Sequence, residues 1–189
     1  MTGSPELPDH AGQWAIDGCA GTEAALDRLA SYESIRQLVA HYAFHLDRRD
    51  IDSLAALYVE DVKVTRTERG RDLLRAQLED MLREVQVTIL TTGTHAIRFD
   101  DADHATGNVY CRGDIQIGPR WIHQAIRYDD RYERRDGRWF FVSRRHQLWY
   151  GADVGQNPLT YAAANWPARN VGSGSLPYDQ PTWQEFWSR

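Results

Sequence analysis

Cysteine is scarce: Cys19 and Cys111 are the two in 189 residues, too few for the disulfide framework of a secreted scaffold. The N-terminal residues lack the basic start and apolar run of a signal peptide. No stretch approaches the roughly 20 apolar residues that a bilayer span needs. A cytoplasmic protein with no membrane association is expected. Excess positive charge is missing as well. The formal net charge is −5, and the arginines between Arg131 and Arg138 alternate with Glu133 and Asp136, so no basic field exists to attract nucleic acid. What the chain does have is aromatic bulk. Seven Trp and nine Tyr imply large apolar surfaces in a core, a pocket or a subunit contact.

The apolar spacing sets the organisation. Residues 1–21 mix Pro, Gly, Asp and Ser without a period and read as a flexible arm. Ile35, Leu38, Val39, Tyr42 and Leu46 recur at helical spacing, which predicts a helix over about 32–47. Asp50 is placed to cap a short second helix through Ser53 and Leu54, and Val62 and Val64 alternate with charged residues as a short strand would. Residues 70–84 read as a third helix burying Leu73, Leu74, Leu78 and Met81. From residue 87 the period changes to two, giving strands over 87–99, 105–117, 121–134 and 139–150. The last two are joined at Asp136-Gly137, a strong hairpin signal. Helices followed by antiparallel strands predict an α+β domain over 22–150, its helices packed on a curved sheet. Residues 151–189 form an aromatic extension, whose Trp166, Trp183 and Trp187 are expected to dock on the domain or a partner subunit.

Several side chains could carry chemistry. Tyr42 and Asp47 end the first long helix as a Tyr-x-x-x-x-Asp pair. A carboxylate beside a neutral imidazole in an apolar pocket abstracts protons well, because it orients the ring and stabilises the imidazolium. His41 and His45 share the i, i+4 spacing of a chelating pair, but no third ligand stands at a diagnostic distance, so no metal is expected. Cys111 and Tyr128 fall on the inward faces of their strands, as small hydrophobe and aromatic. His123 alternates with Trp121, Ala125 and Arg127 on the face expected to point outward, which suggests a homodimer or higher homo-oligomer through the outer sheet face.

The stretch HLDRRDIDSLAALYVEDV (45–62), together with RYERRDGRWFFVSRR (131–145) in the last hairpin, resembles the SnoaL-like branch of the nuclear transport factor 2-like superfamily. The resemblance covers about residues 24–150. It implies a cone-shaped α+β barrel around one pocket, as in polyketide cyclases, scytalone dehydratase, bile-acid 7α-dehydratase and lindane dehydrochlorinase. Asp47 stands where the dehydratases and the dehydrochlorinase have the acid of an Asp-His pair, and Tyr42 where the bile-acid enzyme has a Tyr. The partner histidine is replaced by Thr91. The nearest imidazole, His95, lies four residues on, roughly 13 Å along a strand, and even spacing puts both on one face unless a bulge near Gly93 shifts the register. The resemblance implies a cofactor-independent lyase of dehydratase type, or an isomerase or cyclase, acting on a small, largely apolar hydroxylated or carbonyl compound. Asp47, His95 and Tyr42 would be catalytic. Thr91, His45, Cys111, Tyr128 and Trp149 would touch substrate, with Trp149, Tyr150 and Trp166 closing the pocket. The alternative is a non-catalytic protein that binds a small molecule in the same pocket.

Overall fold

The computed structural model describes residues 19–164, 172–175 and 177–189. Three helices come first: α1 (Thr22–Asp47), α2 (Ile51–Ala56) and α3 (Arg71–Arg83). Four strands follow, β1 (Val87–Phe99), β2 (His104–Ile117), β3 (Arg120–Arg135) and β4 (Arg138–Val154), then a 3-10 turn at Pro158–Thr160 and a final helix α4 (Pro181–Ser188). The strands form one antiparallel meander in the order β1-β2-β3-β4. Its concave face takes α1, whose Ile35, Leu38, Val39, Tyr42 and Leu46 join Val109, Cys111, Ile126, Tyr132 and Phe141 in one core.

Local chemistry accounts for the joints. Asp50 caps α2 by accepting from the Ser53 amide at 3.2 Å, as its position suggested. The β3–β4 hairpin turns on Asp136 (φ 49°) and Gly137 (φ 74°), the pair of positive φ values that a type I′ turn requires. Helix α1 starts at Thr22, about ten residues before the expected start near residue 32. The added turns, rich in Ala and Leu and free of Gly and Pro, favour helix on propensity alone, leaving Leu26 and Leu29 exposed. Val62 and Val64 do not form a strand. Only an isolated bridge, Lys63 to Arg69, forms there, because Val62 is drawn into the core beside Leu54 and Tyr58. The C-terminal residues dock: Phe186 of α4 is buried in the core, Arg83 lies 4.6 Å from its ring centre, and Thr182 Oγ1 donates to the Arg48 carbonyl at 2.8 Å. Trp187 packs against the core, and the Trp183 ring lies beside it, tilted at 56° with centres 5.9 Å apart. Trp166 and most of the N-terminal arm lie outside the described residues. Trp121, expected on the outer face, is buried, whereas His123 is exposed and sits 3.0 Å from Asp114.

Of three register shifts in the sheet, at Thr92/His95, Arg131/Tyr132 and Ala125/Ile126, the first two decide which side chains face inward around the site. On β1, Thr92 pairs with Cys111 and His95 with Val109, so three steps on β1 match two on β2. The extra residue, at Gly93-Thr94, turns His95 inward and leaves Thr91 opposite Arg112 and exposed. The expectation that Thr91 and His95 share a face fails for this reason. On β4, Phe141 pairs with Tyr132 but Ser143 with Arg131. Val142 is therefore the extra residue, and the inward series runs Phe141, Arg144, His146 instead of continuing on odd numbers.

The second bulge builds the most deeply buried charge pair. Arg144 and Asp130 are cross-strand partners, with side chains 2% and 0% exposed. The guanidinium Nε and Nη2 donate to the two carboxylate oxygens at 2.9 and 2.8 Å, while its carbon lies 4.3 Å from the ring centres of Tyr42 and Tyr128 and 4.5 Å from that of Phe141. Breaking such a pair leaves an uncompensated buried charge. Asp130→Ala should therefore cost about 3–5 kcal/mol in urea unfolding, and the double change Asp130→Leu with Arg144→Met should recover most of that loss.

Candidate active site

Asp47 is the last residue of α1, and the chain turns there on Arg49, a non-glycine residue at φ 60°. The strain is offset by the Arg49 side chain, which is buried and donates to the Leu46 carbonyl at 2.7 Å, Thr88 Oγ1 at 2.8 Å and the Val85 carbonyl at 2.8 Å. Thr88 Oγ1 then donates to Asp47 Oδ1 and the Leu90 amide to Asp47 Oδ2, each at 2.9 Å. The carboxylate thus ties the end of α1 to the start of β1. Burial pushes its pKa up to about 6, against the pull of the Leu90 and Thr88 hydrogen bonds and the Arg49 charge. The same burial brings Arg49 down to about 10.

Thr88 and Leu90 form part of the wall of a cavity of about 610 Å³ between the sheet, α1 and α3. Much of its lining is aliphatic, including Leu46, Val62, Leu78 and Ile126. Against this background stand Tyr42, Tyr58, Tyr128, Arg144 and His146. Burial raises the pKa of all three tyrosines, so they remain phenols able to donate. Among the described residues no hydrogen bond engages any of the three hydroxyls. Arg144 Nη1 is buried without a partner, and it belongs to a side chain that lines the cavity. An unsatisfied buried guanidinium N–H costs on the order of 1–3 kcal/mol or more, a cost that a ligand acceptor would remove.

His95 belongs to a different network from Asp47. Its Nε2 lies 3.1 Å from Tyr132 Oη, which donates to Asp130 Oδ2 at 2.7 Å. The His95 Nε2–H must then be the donor, and the series His95, Tyr132, Asp130, Arg144 is one hydrogen-bonded chain. Gly107 makes room for it: a Cβ there would come within 2.9–3.0 Å of the Tyr132 ring and His95 Nε2. Burial, reinforced by Arg144 and Arg36, lowers the pKa of His95 to about 4, keeping the ring neutral.

The other anticipated residues divide between two places. Tyr42 and Tyr128 line the cavity. Thr91, Cys111 and Trp149 line a second depression, of about 510 Å³, that shares only Ile126 with the first. Burial raises the Cys111 thiol to about 11, which makes it a poor nucleophile. His45 lines neither: its Nδ1 lies 3.3 Å from Asp50 Oδ2 and its ring stacks on His41. Among the described residues no group of three or more potential metal ligands gathers. Arg144 and His146 were not anticipated, because strict alternation along β4 points them outward. The sequence signal was Asp130, an acid between the inward Tyr128 and Tyr132, which needs a cation from the neighbouring strand.

The Asp47 pKa has a consequence for pH. Its folded-state value lies above that of a free carboxyl, so its contribution to stability is present below about pH 4 and is lost as pH rises through about 6. Carboxyl-carbon NMR should find Asp47 titrating near pH 6, well above the exposed acids, and a value near that of a free aspartate would contradict the placement.

Comparison with known proteins agrees with this architecture. Residues 27–145 match the family model for the SnoaL-like domain. Hexachlorocyclohexane dehydrochlorinase 1 of Sphingobium indicum is 31% identical over 121 residues, 60% of this chain and 79% of the relative. The gamma-hexachlorocyclohexane dehydrochlorinase of the same species is 32% identical over 130 residues, 63% of this chain and 81% of that one. The crystal structure of a hexachlorocyclohexane dehydrochlorinase from Novosphingobium barchaimii superposes with a TM-score of 0.60 at 26% identity, covering 69% of this chain and 94% of the other. A match of this extent identifies the chain as a member of the SnoaL-like domain family.

Proposed function

We propose that this protein is a cofactor-independent lyase that removes a proton and a leaving group from adjacent carbons of a small, largely apolar hydroxylated, halogenated or carbonyl compound. The observation that carries the reading is Arg144, whose side chain lines an apolar cavity and whose buried Nη1 has no partner. Its charge is already balanced by Asp130, so the site suits an atom that enters neutral and becomes anionic as its bond breaks. Tyr42, whose ring packs on the same guanidinium, offers its hydroxyl to the departing or developing oxygen. Asp47, made more basic by burial, takes part in the acid–base chemistry from behind the cavity wall, through its hydrogen bonds to Thr88 and Leu90. His95 positions Arg144 through Tyr132 and Asp130. Dehydrochlorination is the activity named for the relatives, and this donor set is suited to a departing chloride or hydroxide.

One observation favours a binding protein without turnover: Asp47 and His95, expected as a pair, hydrogen-bond to different partners. Kinetics separate the two readings. With gamma-hexachlorocyclohexane and a panel of bicyclic β-hydroxyketones as substrates, Asp47→Asn should lower kcat/KM by about 10²–10⁴. Tight binding by the wild type with no turnover of any compound would favour the binding protein.

The same reading takes the protein as cytoplasmic and as a homo-oligomer through the outer sheet face. Tyr110, Trp149 and Tyr150 are exposed there, with Trp149 63% accessible, and Arg112 reaches Tyr150 Oη at 2.9 Å. Sedimentation at micromolar concentration should show a dimer or larger species that Trp149→Glu dissociates, and a monomeric wild type would contradict it.

A further inference from the structure

Elimination needs a base that touches the substrate's hydrogen, and Asp47 is badly placed to be that group. Both its oxygens are engaged, and the carboxylate stands behind Thr88 and Leu90. Nor does the imidazole expected from His95 reach the task, since its Nε2–H is committed to Tyr132. Of the remaining described histidines, His45 faces Asp50, His104 pairs with Asp101, His123 pairs with Asp114 and His41 stacks on His45. His146 alone among the described histidines lines the cavity.

Resting on the elimination reading above, we propose that His146 is a catalytic residue, the immediate acceptor of the substrate proton, with Arg144 as the seat of the departing group. The Val142 bulge places both on the inward face of β4, two residues apart, which is roughly 7 Å between Cα atoms. Both side chains therefore line the same cavity. The imidazole is held from below by Tyr128, its cross-strand partner, with ring centres 5.6 Å apart and planes at 76°. Among the described residues no hydrogen bond occupies either ring nitrogen, and burial lowers the pKa, so the free base is present at neutral pH. In the step, the C–H bond breaks and an N–H bond forms on His146. The C–H electron pair becomes the new C=C bond, and the leaving group departs with its own bonding pair to Arg144 Nη1. The open side of His146, an exposed residue, lets the proton pass to water afterwards.

Proton abstraction can be read without any leaving group. The probe is 2-tetralone in D₂O, with α-hydrogen exchange followed by proton NMR for the wild type, His146→Gln, His146→Gly and Asp47→Asn. The wild type should exchange the ketone faster than buffer. His146→Gln should lose about 100-fold or more of that rate while binding the ketone within a few-fold of the wild type, and added imidazole should restore part of the rate to His146→Gly. Exchange by His146→Gln at the wild-type rate overturns the assignment, as does a wild type no faster than buffer. If Asp47→Asn loses turnover in the elimination assay while His146→Gln does not, the lyase reading stands and this assignment falls. Exchange that depends on His146 without elimination of any compound supports the assignment and sinks the lyase.

Discussion

The guanidinium of Arg144, gripped by Asp130 across two strands and enclosed by Tyr42, Tyr128 and Phe141, is the constraint around which this molecule is arranged. A charge removed from water must be paired and hydrogen-bonded or it costs several kcal/mol. Here the pairing consumes Nε and Nη2 and leaves Nη1 over. Stability and function therefore make opposing demands on one side chain: the carboxylate keeps the cation tolerable inside, and the unused N–H keeps the interior receptive to an electronegative guest. The chain from His95 through Tyr132 to Asp130 adds directional bonds that fix the carboxylate, and Gly107 is small because that chain passes over it.

A second buried guanidinium organises the junction between α1 and β1. Arg49, strained at its backbone, satisfies carbonyls from two segments and shares Thr88 with Asp47. The result is a carboxylate held at a helix-to-strand junction where desolvation works against its ionisation. Thr88 from this network and Arg144 from the other both line the aliphatic space. Neither includes the other's residues, so direct contact with a guest falls to the side chains that line the space, Tyr42, Tyr58, Tyr128, Arg144 and His146.

Much of the fold was legible because its signals are local. The Asp50 cap, the Asp136-Gly137 turn and the change of period from helical to alternating each arise within a few residues. The site was half legible. Tyr42 lies on a helical stripe whose buried face repeats regularly, and Asp47 ends that stripe. Arg144, His146 and the orientation of Thr91 were not, because each depends on a bulge. One extra residue on a strand inverts every side chain beyond it; Gly93 within its strand signalled the first bulge, which the β1–β2 register bears out between Thr92 and His95, whereas Val142 carries no such signal. The buried Trp121 was missed for a related reason: alternation identifies two faces of a strand but not what the curled sheet and its neighbours cover.

The central claim is that Arg144 Nη1 is the seat of an anion formed from a guest in the cavity. Bromide is a heavy stand-in for a departing halide, and anomalous diffraction from crystals soaked in sodium bromide tests the claim most directly. The account predicts an anomalous peak inside the cavity in hydrogen-bond contact with Nη1, absent in Arg144→Met combined with Asp130→Leu. A cavity without bromide, or an Nη1 satisfied by a protein acceptor, would contradict it.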